Sequence, residues 1–159
     1  SGSEFIFRQY IEASHGRDVR VLVVNGRAVA AMERRSTDGS FKSNISLGGI
    51  GTAFEPPPEM AELAVRVTQT LGLDVAGVDI LLDRDGYRIC EANSSPGFQG
   101  LEKACHISVP NEIFNAMRDR LGLPATQRRR SSWKRLLDSL RNAVRLDSRP
   151  TPEPVKEIT

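Results

Sequence analysis

Residues 75–93 read Val-Ala-Gly-Val-Asp-Ile-Leu-Leu-Asp-Arg-Asp-Gly-Tyr-Arg-Ile-Cys-Glu-Ala-Asn. Two runs rich in β-branched residues flank an Asp-Gly turn signal, the pattern of a β-hairpin. Two turn lengths are open: two residues at Asp85-Gly86, or three, Arg84, Asp85 and Gly86, with the glycine left-handed. Strand side chains alternate between faces, so the choice decides which residues share a side. A three-residue turn pairs Asp83 with Tyr87 and Asp79 with Glu91. One face then carries Ala76, Val78, Ile80, Leu82, Cys90 and Ala92, and the other gathers Asp79, Glu91 and Asn93. A two-residue turn mixes these sets and drives carboxylates toward the core, so hydrophobic patterning selects the three-residue turn.

The polar face then holds two opposed carboxylates with an amide oxygen two residues along the same strand. Carboxylates that close repel unless a cation or a shared proton intervenes. An oxygen-only donor set suits magnesium or manganese rather than zinc or copper. The alternative is a solvated sheet face whose acids pair with Arg84 or Arg88.

Outward from this hairpin, strand and helix signals alternate. Phe5 to Ile11 and Val19 to Val24 are strand-like, Asn25-Gly26 is a two-residue hairpin turn, and Arg27 to Arg35 is the returning strand. Ser36 to Thr52 is dense in Gly, Ser, Asn and Asp and reads as loop, with room for one short strand around Phe41. Pro56-Pro57-Pro58 leads into a helix whose stripe is Met60, Leu63, Ala64, Val67 and Leu71, closed by Gly72. A further helix around Glu112 to Leu121 ends at Gly122 with Pro124 beyond. Together these elements predict an α+β fold with a mainly antiparallel sheet flanked by helices.

The chain has 159 residues, 39% hydrophobic and 26% charged, enough apolar material for a core and too much for a wholly disordered chain. No apolar run is long enough to span a bilayer, and Cys90 and Cys105 are too few for a disulfide framework, so a reducing cytoplasm is the expected compartment. Charge is unevenly spread. Residues 1–127 carry 13 Lys/Arg and 16 Asp/Glu, whereas residues 128–149 carry 8 and 2. Four segments follow: a cloning remnant at 1–3, the folded body at 4–124, a basic amphipathic helical tail at 125–149 and a disordered, proline-rich end at 150–159. In the tail, Trp133, Leu136, Leu137, Leu140 and Val144 share one helical face. Docking onto the body or a further lobe is the favoured reading of that face; nucleic-acid or membrane contact is the lesser one.

Other motifs carry less. Leu47-Gly48-Gly49-Ile50-Gly51 matches neither dinucleotide nor Walker A spacing. Lys42-Ser43-Asn44 offers a cation, a hydroxyl and an amide suited to phosphate oxygens, or equally a solvated strand end. Cys105-His106 are adjacent, so neither serves readily as base or nucleophile to the other, and a buried thiol is the plainer reading. His15 reads as a loop residue. No G-x-S-x-G element is present.

Five stretches in order carry a family resemblance: residues 5–20, 22–35 (LVVNGRAVAAMERR), 42–49 (KSNISLGG), 71–82 (LGLDVAGVDILL) and 90–103 (CEANSSPGFQGLEK). The body resembles the C-terminal lobe of an ATP-grasp ligase of the RimK-type glutamate-ligase branch. It is also similar to the N-acetylaspartylglutamate and citrylglutamate synthases of that branch. The resemblance implies an adenine-binding hinge at Gln9, Tyr10 and Ile11, and Asp18 on the ribose side. It implies Lys42, Ser43 and Asn44 near the phosphates, with Lys42 stabilising the transferred phosphoryl group. Asp79, Glu91 and Asn93 match the family's magnesium ligands, with Glu91 suited to bridging two Mg²⁺ or Mn²⁺ ions. Three departures stand out: Gln9 where an acidic residue is usual, Lys42 where arginine is common, and Leu47 where the ribosomal-protein ligases have arginine.

The function implied is ATP-dependent ligation of a carboxylate to an amine through an acyl phosphate, with glutamate or a similar amino acid as the amine. The partners implied are ATP, the two substrates, an N-terminal ATP-grasp lobe that this stretch does not supply, and a second copy in a homo-oligomer. Alone, the stretch is expected to be inactive. A noncatalytic nucleotide- or partner-binding module on the same fold is the rival reading.

Overall fold

The computed structural model describes residues 8–41 and 48–123. Five strands and three helices follow a short 3₁₀ turn at Glu12–Ser14: β1 Arg17–Val24, β2 Arg27–Arg35, β3 Ile50–Ala53, α1 Pro58–Thr70, β4 Val75–Asp83, β5 Gly86–Asn93, α2 Gln99–Cys105 and α3 Val109–Arg120. The strands form one sheet in the order β3-β2-β1-β4-β5, and every neighbouring pair is antiparallel.

Helices cover both faces, which explains why central β1 runs apolar without alternation from Val21 to Val24. On one face Val19, Val21, Val23, Ala31, Ala76, Val78 and Ile80 pack against Met60 and Ala64 of α1. On the other, Leu22, Val24, Ala30 and Met32 pack against Leu101 and Cys105 of α2 and Val109 and Ala116 of α3. Helix α1 starts as expected at the prolines. Its buried residues are Met60, Ala64 and Thr68, with Leu63 and Val67 half-buried, but Leu71 lies past the last turn and is exposed. There the left-handed Gly72 (φ 65°) lets the N–H of Leu73 reach the carbonyl of Thr68 at 3.0 Å, and its own N–H that of Gln69.

Several expectations are corrected. Residues 8–11 form no strand; they lead into the 3₁₀ turn. The short strand of the 36–52 region is β3, which pairs with β2, and Phe41 sits in a bend. Helix α2 has no counterpart among the expected elements. The decisive hairpin keeps its central pair, since Asp79 faces Glu91, but reaches it differently. The turn is two residues, Arg84-Asp85; Asp83 pairs with Gly86, Leu82 with Tyr87 and Ile80 with Ile89. A bulge then leaves Cys90 without a cross-strand partner and restores the register at Glu91.

The physical reason lies in the outer half of the hairpin. A three-residue turn would put Arg88 on the α1 face and Tyr87 on the polar one. The shorter turn reverses them: Tyr87 packs against the α1 core, while Arg88 donates to Asp83 at 2.9 Å. Asp83 also accepts the N–H of Arg84 at 2.8 Å, and these bonds, led by the backbone one, hold its carboxyl below the usual range.

Lys42, Ser43, Asn44 and Leu47, the segment at 1–3, the tail over 125–149 and the end at 150–159 lie outside the described residues. Among the described residues no helix is long and apolar enough to cross a membrane.

Candidate functional site

The sheet face that meets α2 and α3 changes character along its length. Its apolar end is Leu22, Val24, Ala30 and Met32. Alternation along the same strands brings Asp18 and Arg20 of β1, Arg34 of β2, Asp79 of β4, and Glu91 and Asn93 of β5 onto this face too, Arg20 and Asp79 in the row of Met32 and Asn93 in the row of Leu22. Register makes them neighbours: Asp18 opposite Arg34, Arg20 opposite Asp79, Asp79 opposite Glu91, and Gly77 opposite Asn93.

Asp18, Arg34 and Asp79 are buried, and their charges are met within the cluster. Arg20 grips Asp79 in a two-pronged contact, Nε to Oδ1 at 2.7 Å and Nη2 to Oδ2 at 2.8 Å. Arg34 bridges the two acids. Its Nε donates to Oδ1 of Asp18 at 2.7 Å, and its Nη2 donates both to Oδ2 of Asp18 and, at 2.8 Å, to Oδ2 of Asp79. Burial works against the Arg34 charge. The hydrogen bonds and charges of Asp18 and Asp79 outweigh it, so its pKa lies above the ordinary arginine value. Planar guanidinium groups suit this arrangement because they meet carboxylates through paired donors.

Glu91 differs from its partner across the hairpin. It is exposed, and among the described residues no hydrogen bond or ion pair engages its carboxylate. Asn93 Oδ1 accepts the N–H of Ser95 at 2.8 Å, starting the turn that carries Pro96 over the sheet. Gly77 makes that close approach possible: a Cβ there would stand 2.8 Å from Cβ of Pro96 and 3.6 Å from Cδ of Arg20.

The expected electrostatics therefore change. Asp79 is not balanced by Arg84 or Arg88, which pair with Glu12 and Asp83, but by Arg20 and Arg34. Neither arginine was read from the sequence as part of the site. A signal existed for Arg20, since Asp18-x-Arg20 places two charges on one face of an otherwise apolar strand. Arg34 was obscured by a bulge: β1 and β2 slip by one residue between Leu22 and Val23, leaving Val29 over. Counting back from Asn25-Gly26 without it sets Glu33, not Arg34, opposite Asp18.

At the expected hinge, Gln9 and Tyr10 are exposed and Ile11 is buried, its carbonyl accepting the N–H of Ser14 at 3.0 Å. Ser14 Oγ donates to the Leu82 carbonyl at 3.0 Å and accepts the Leu82 N–H at 2.7 Å, pinning the turn to β4. Tyr10 Oη lies 2.6 Å from Nδ1 of His15, whose Nε2 is 3.1 Å from the Gly39 carbonyl. A carbonyl only accepts, so Nε2 carries a proton there. Cys105 is buried with Sγ donating to the Ala31 carbonyl at 3.2 Å, and burial pushes its thiol up to about 11, which suits packing rather than nucleophilic work.

Could the polar cluster hold a divalent cation? Among the described residues no three of His, Cys, Asp and Glu gather into a metal-ligating group. The donor set on offer is two carboxylates and one amide, all oxygen, which fits a hard cation such as Mg²⁺. Asp79 already accepts three hydrogen bonds, so any cation would share it with the arginines.

Comparison with known proteins gives a consistent result. The RimK-like ATP-grasp domain family matches residues 2–117. Human beta-citrylglutamate synthase B is 46% identical over 110 residues, 69% of this chain and 28% of that protein. Human N-acetylaspartylglutamate synthase A is 42% identical over 106 residues (66% and 27%), and a probable alpha-L-glutamate ligase of Citrobacter koseri is 42% identical over 112 (70% and 37%). The chain thus spans roughly a quarter to just over a third of these relatives. Among solved structures, the ATP-grasp ligase PsnB complexed with a phosphomimetic variant of its minimal precursor, Mg and ADP aligns with TM-score 0.54 and 26% identity, over 67% of this chain and 32% of that one.

Proposed function

The chain belongs to the RimK-like ATP-grasp family, and from that premise we propose that it is the C-terminal nucleotide- and metal-binding part of an ATP-dependent carboxylate–amine ligase. The observation that carries the reading is the in-register alignment of Asp79, Glu91 and Asn93 on one sheet face, with an oxygen-only donor set and an exposed Glu91 that no side chain engages among the described residues.

In this reading Asp79, Glu91 and Asn93 hold one or two Mg²⁺ or Mn²⁺ ions, which supply charge neutralisation and orientation for the phosphates of ATP. Gln9, Tyr10 and Ile11 present backbone groups to the adenine edge, and Asp18 faces the ribose. Lys42, Ser43 and Asn44 meet the phosphates, with Lys42 stabilising charge on the phosphoryl group in flight. The substrate carboxylate attacks the γ-phosphorus and ADP leaves. The amine, from glutamate or a similar amino acid, then attacks the acyl phosphate and releases phosphate as the amide forms. The names of the relatives, citrylglutamate and N-acetylaspartylglutamate synthases and glutamate ligases, support glutamate as that amine. This stretch covers only part of such a ligase and by itself makes no ADP.

The test is a thermal melt of the 159-residue chain with and without Mn²⁺. A cation that binds only the folded state raises the midpoint by mass action, and Glu91→Gln removes most of that rise. Equal Mn²⁺ shifts in wild type and Glu91→Gln count against the metal set. ADP release dependent on glutamate, measured on a longer protein containing this stretch, addresses the substrates.

A further inference from the structure

We propose that Arg20 is an internal stand-in cation. It occupies Asp79 in the metal-free protein and is exchanged for the divalent ion when the site loads, so that it sets how tightly metal is held. The inference rests on the reading of Asp79 and Glu91 as metal ligands and adds a residue outside that ligand set.

The two arginines around Asp79 are not equivalent. Arg34 is 3% exposed and shared between two acids, so moving it would strand Asp18 in the interior. Arg20 serves Asp79 alone among the described residues, and its side chain retains 14% exposure. Its Cδ passes 3.6 Å from where a Cβ on Gly77 would stand, so its stem rests on the bare glycine beside Pro96. Arg20 is therefore the member free to let go.

Charge arithmetic gives the direction. Asp18, Asp79, Arg20 and Arg34 sum to zero, so the anionic character offered to an incoming cation comes from Glu91. A cation on Oδ1 of Asp79 meets an oxygen whose hydrogen bond to Nε of Arg20 is 2.7 Å long, placing two positive centres on one oxygen and, with Arg34 on Oδ2, three on one carboxylate. Like charges at this range in a partly buried setting repel strongly. Binding is eased when Arg20 swings out, and it is eased permanently when Arg20 is neutral. Arg20 is thus a positioning residue that acts through Asp79.

Two readouts test this on the 159-residue chain. Titration of free Mn²⁺ by electron paramagnetic resonance is expected to show Arg20→Gln binding about tenfold or more tighter than wild type, given the size of such charge terms. Arg20→Lys, which keeps the charge but loses the paired contact, is expected to gain less and provides a folded comparison should the glutamine variant be unstable. Adding Glu91→Gln to Arg20→Gln abolishes the gain. In NMR spectra, saturating Mg²⁺ moves the Nε–Hε peak of Arg20 and leaves that of Arg34 in place. Equal or weaker Mn²⁺ binding by both Arg20 variants overturns the proposal, as does an Arg20 peak that ignores Mg²⁺ while the Glu91 amide responds. If Glu91→Gln alone leaves Mn²⁺ affinity unchanged, the metal reading itself falls and takes this inference with it.

Discussion

Arg34 holds two carboxylates from different strands, and each of the three charges depends on the others for its burial. Removing one partner from such a group leaves an uncompensated ion in the interior. Arg34→Met is expected to cost about 3–5 kcal/mol of folding stability, read as a fall in the urea midpoint; a loss below about 1 kcal/mol would mean water reaches the acids. Cys105 gives a pH signature. Burial raises its thiol from 9.0 to about 11, so between those values the unfolded chain loses a proton that the folded chain keeps. Stability from this group is intact below about pH 9 and declines as pH rises toward about 11. Urea melts near pH 8 and near pH 10 should show a smaller difference in Cys105→Ala than in wild type. At this scale the sequence made Asp79, Glu91 and Asn93 visible because their spacing has the period of a strand. Arg20 left a local trace in Asp18-x-Arg20, but Arg34 escaped because its role depends on cross-strand neighbours set by a bulge, which no local pattern reports.

Both hairpins combine a two-residue turn with a strand that carries one residue too many, Val29 in the first and Cys90 in the second. The first turn was readable, since Asn25 (φ 48°) and Gly26 (φ 69°) occupy the conformation their types predict, whereas the second turns at Arg84-Asp85 and not over the three residues that patterning selected. The bulges were not readable, because a bulge has no residue signature and shows only as a conflict between turn length and hydrophobic face. Helix α2 was missed for another reason. Seven residues, Gln-Gly-Leu-Glu-Lys-Ala-Cys, are too few to display a helical period. Helix α1 announced both ends, and its C-terminus carries a prediction. Gly72→Ala forces a side chain into the left-handed region and is expected to cost about 1–2 kcal/mol, visible in thermal melts, with the Mn²⁺ response of the Asp79 site unaltered. Loss of that response would show that the α1 terminus and the site are coupled.

The whole described body is a sheet between two apolar layers that do not mix. Leu22 belongs to the α2–α3 side and Met60 to the α1 side, both essentially inaccessible. Leu22→Ala and Met60→Ala are each expected to cost about 2–5 kcal/mol. Because the sheet separates them, the double variant should equal the sum within about 0.5 kcal/mol; a larger discrepancy in denaturant melts would mean that one layer repacks when the other is hollowed. That the strands would form a mainly antiparallel sheet was legible from hairpin spacing. So was its flanking by helices, apart from α2, which left no periodic trace.

The paired turn and bulge of the second hairpin behave like a frameshift and its suppressor. Shortening the turn inverts the strand from Gly86 to Ile89, and the extra Cys90 restores the reading frame before Glu91 is reached. Turn length and the placement of Glu91 opposite Asp79 are thereby uncoupled. The tip of the hairpin can lengthen or shorten over evolutionary time, provided a single compensating residue is gained or lost before Glu91, and the face that Asp79 shares with Glu91 and Asn93 is inherited intact.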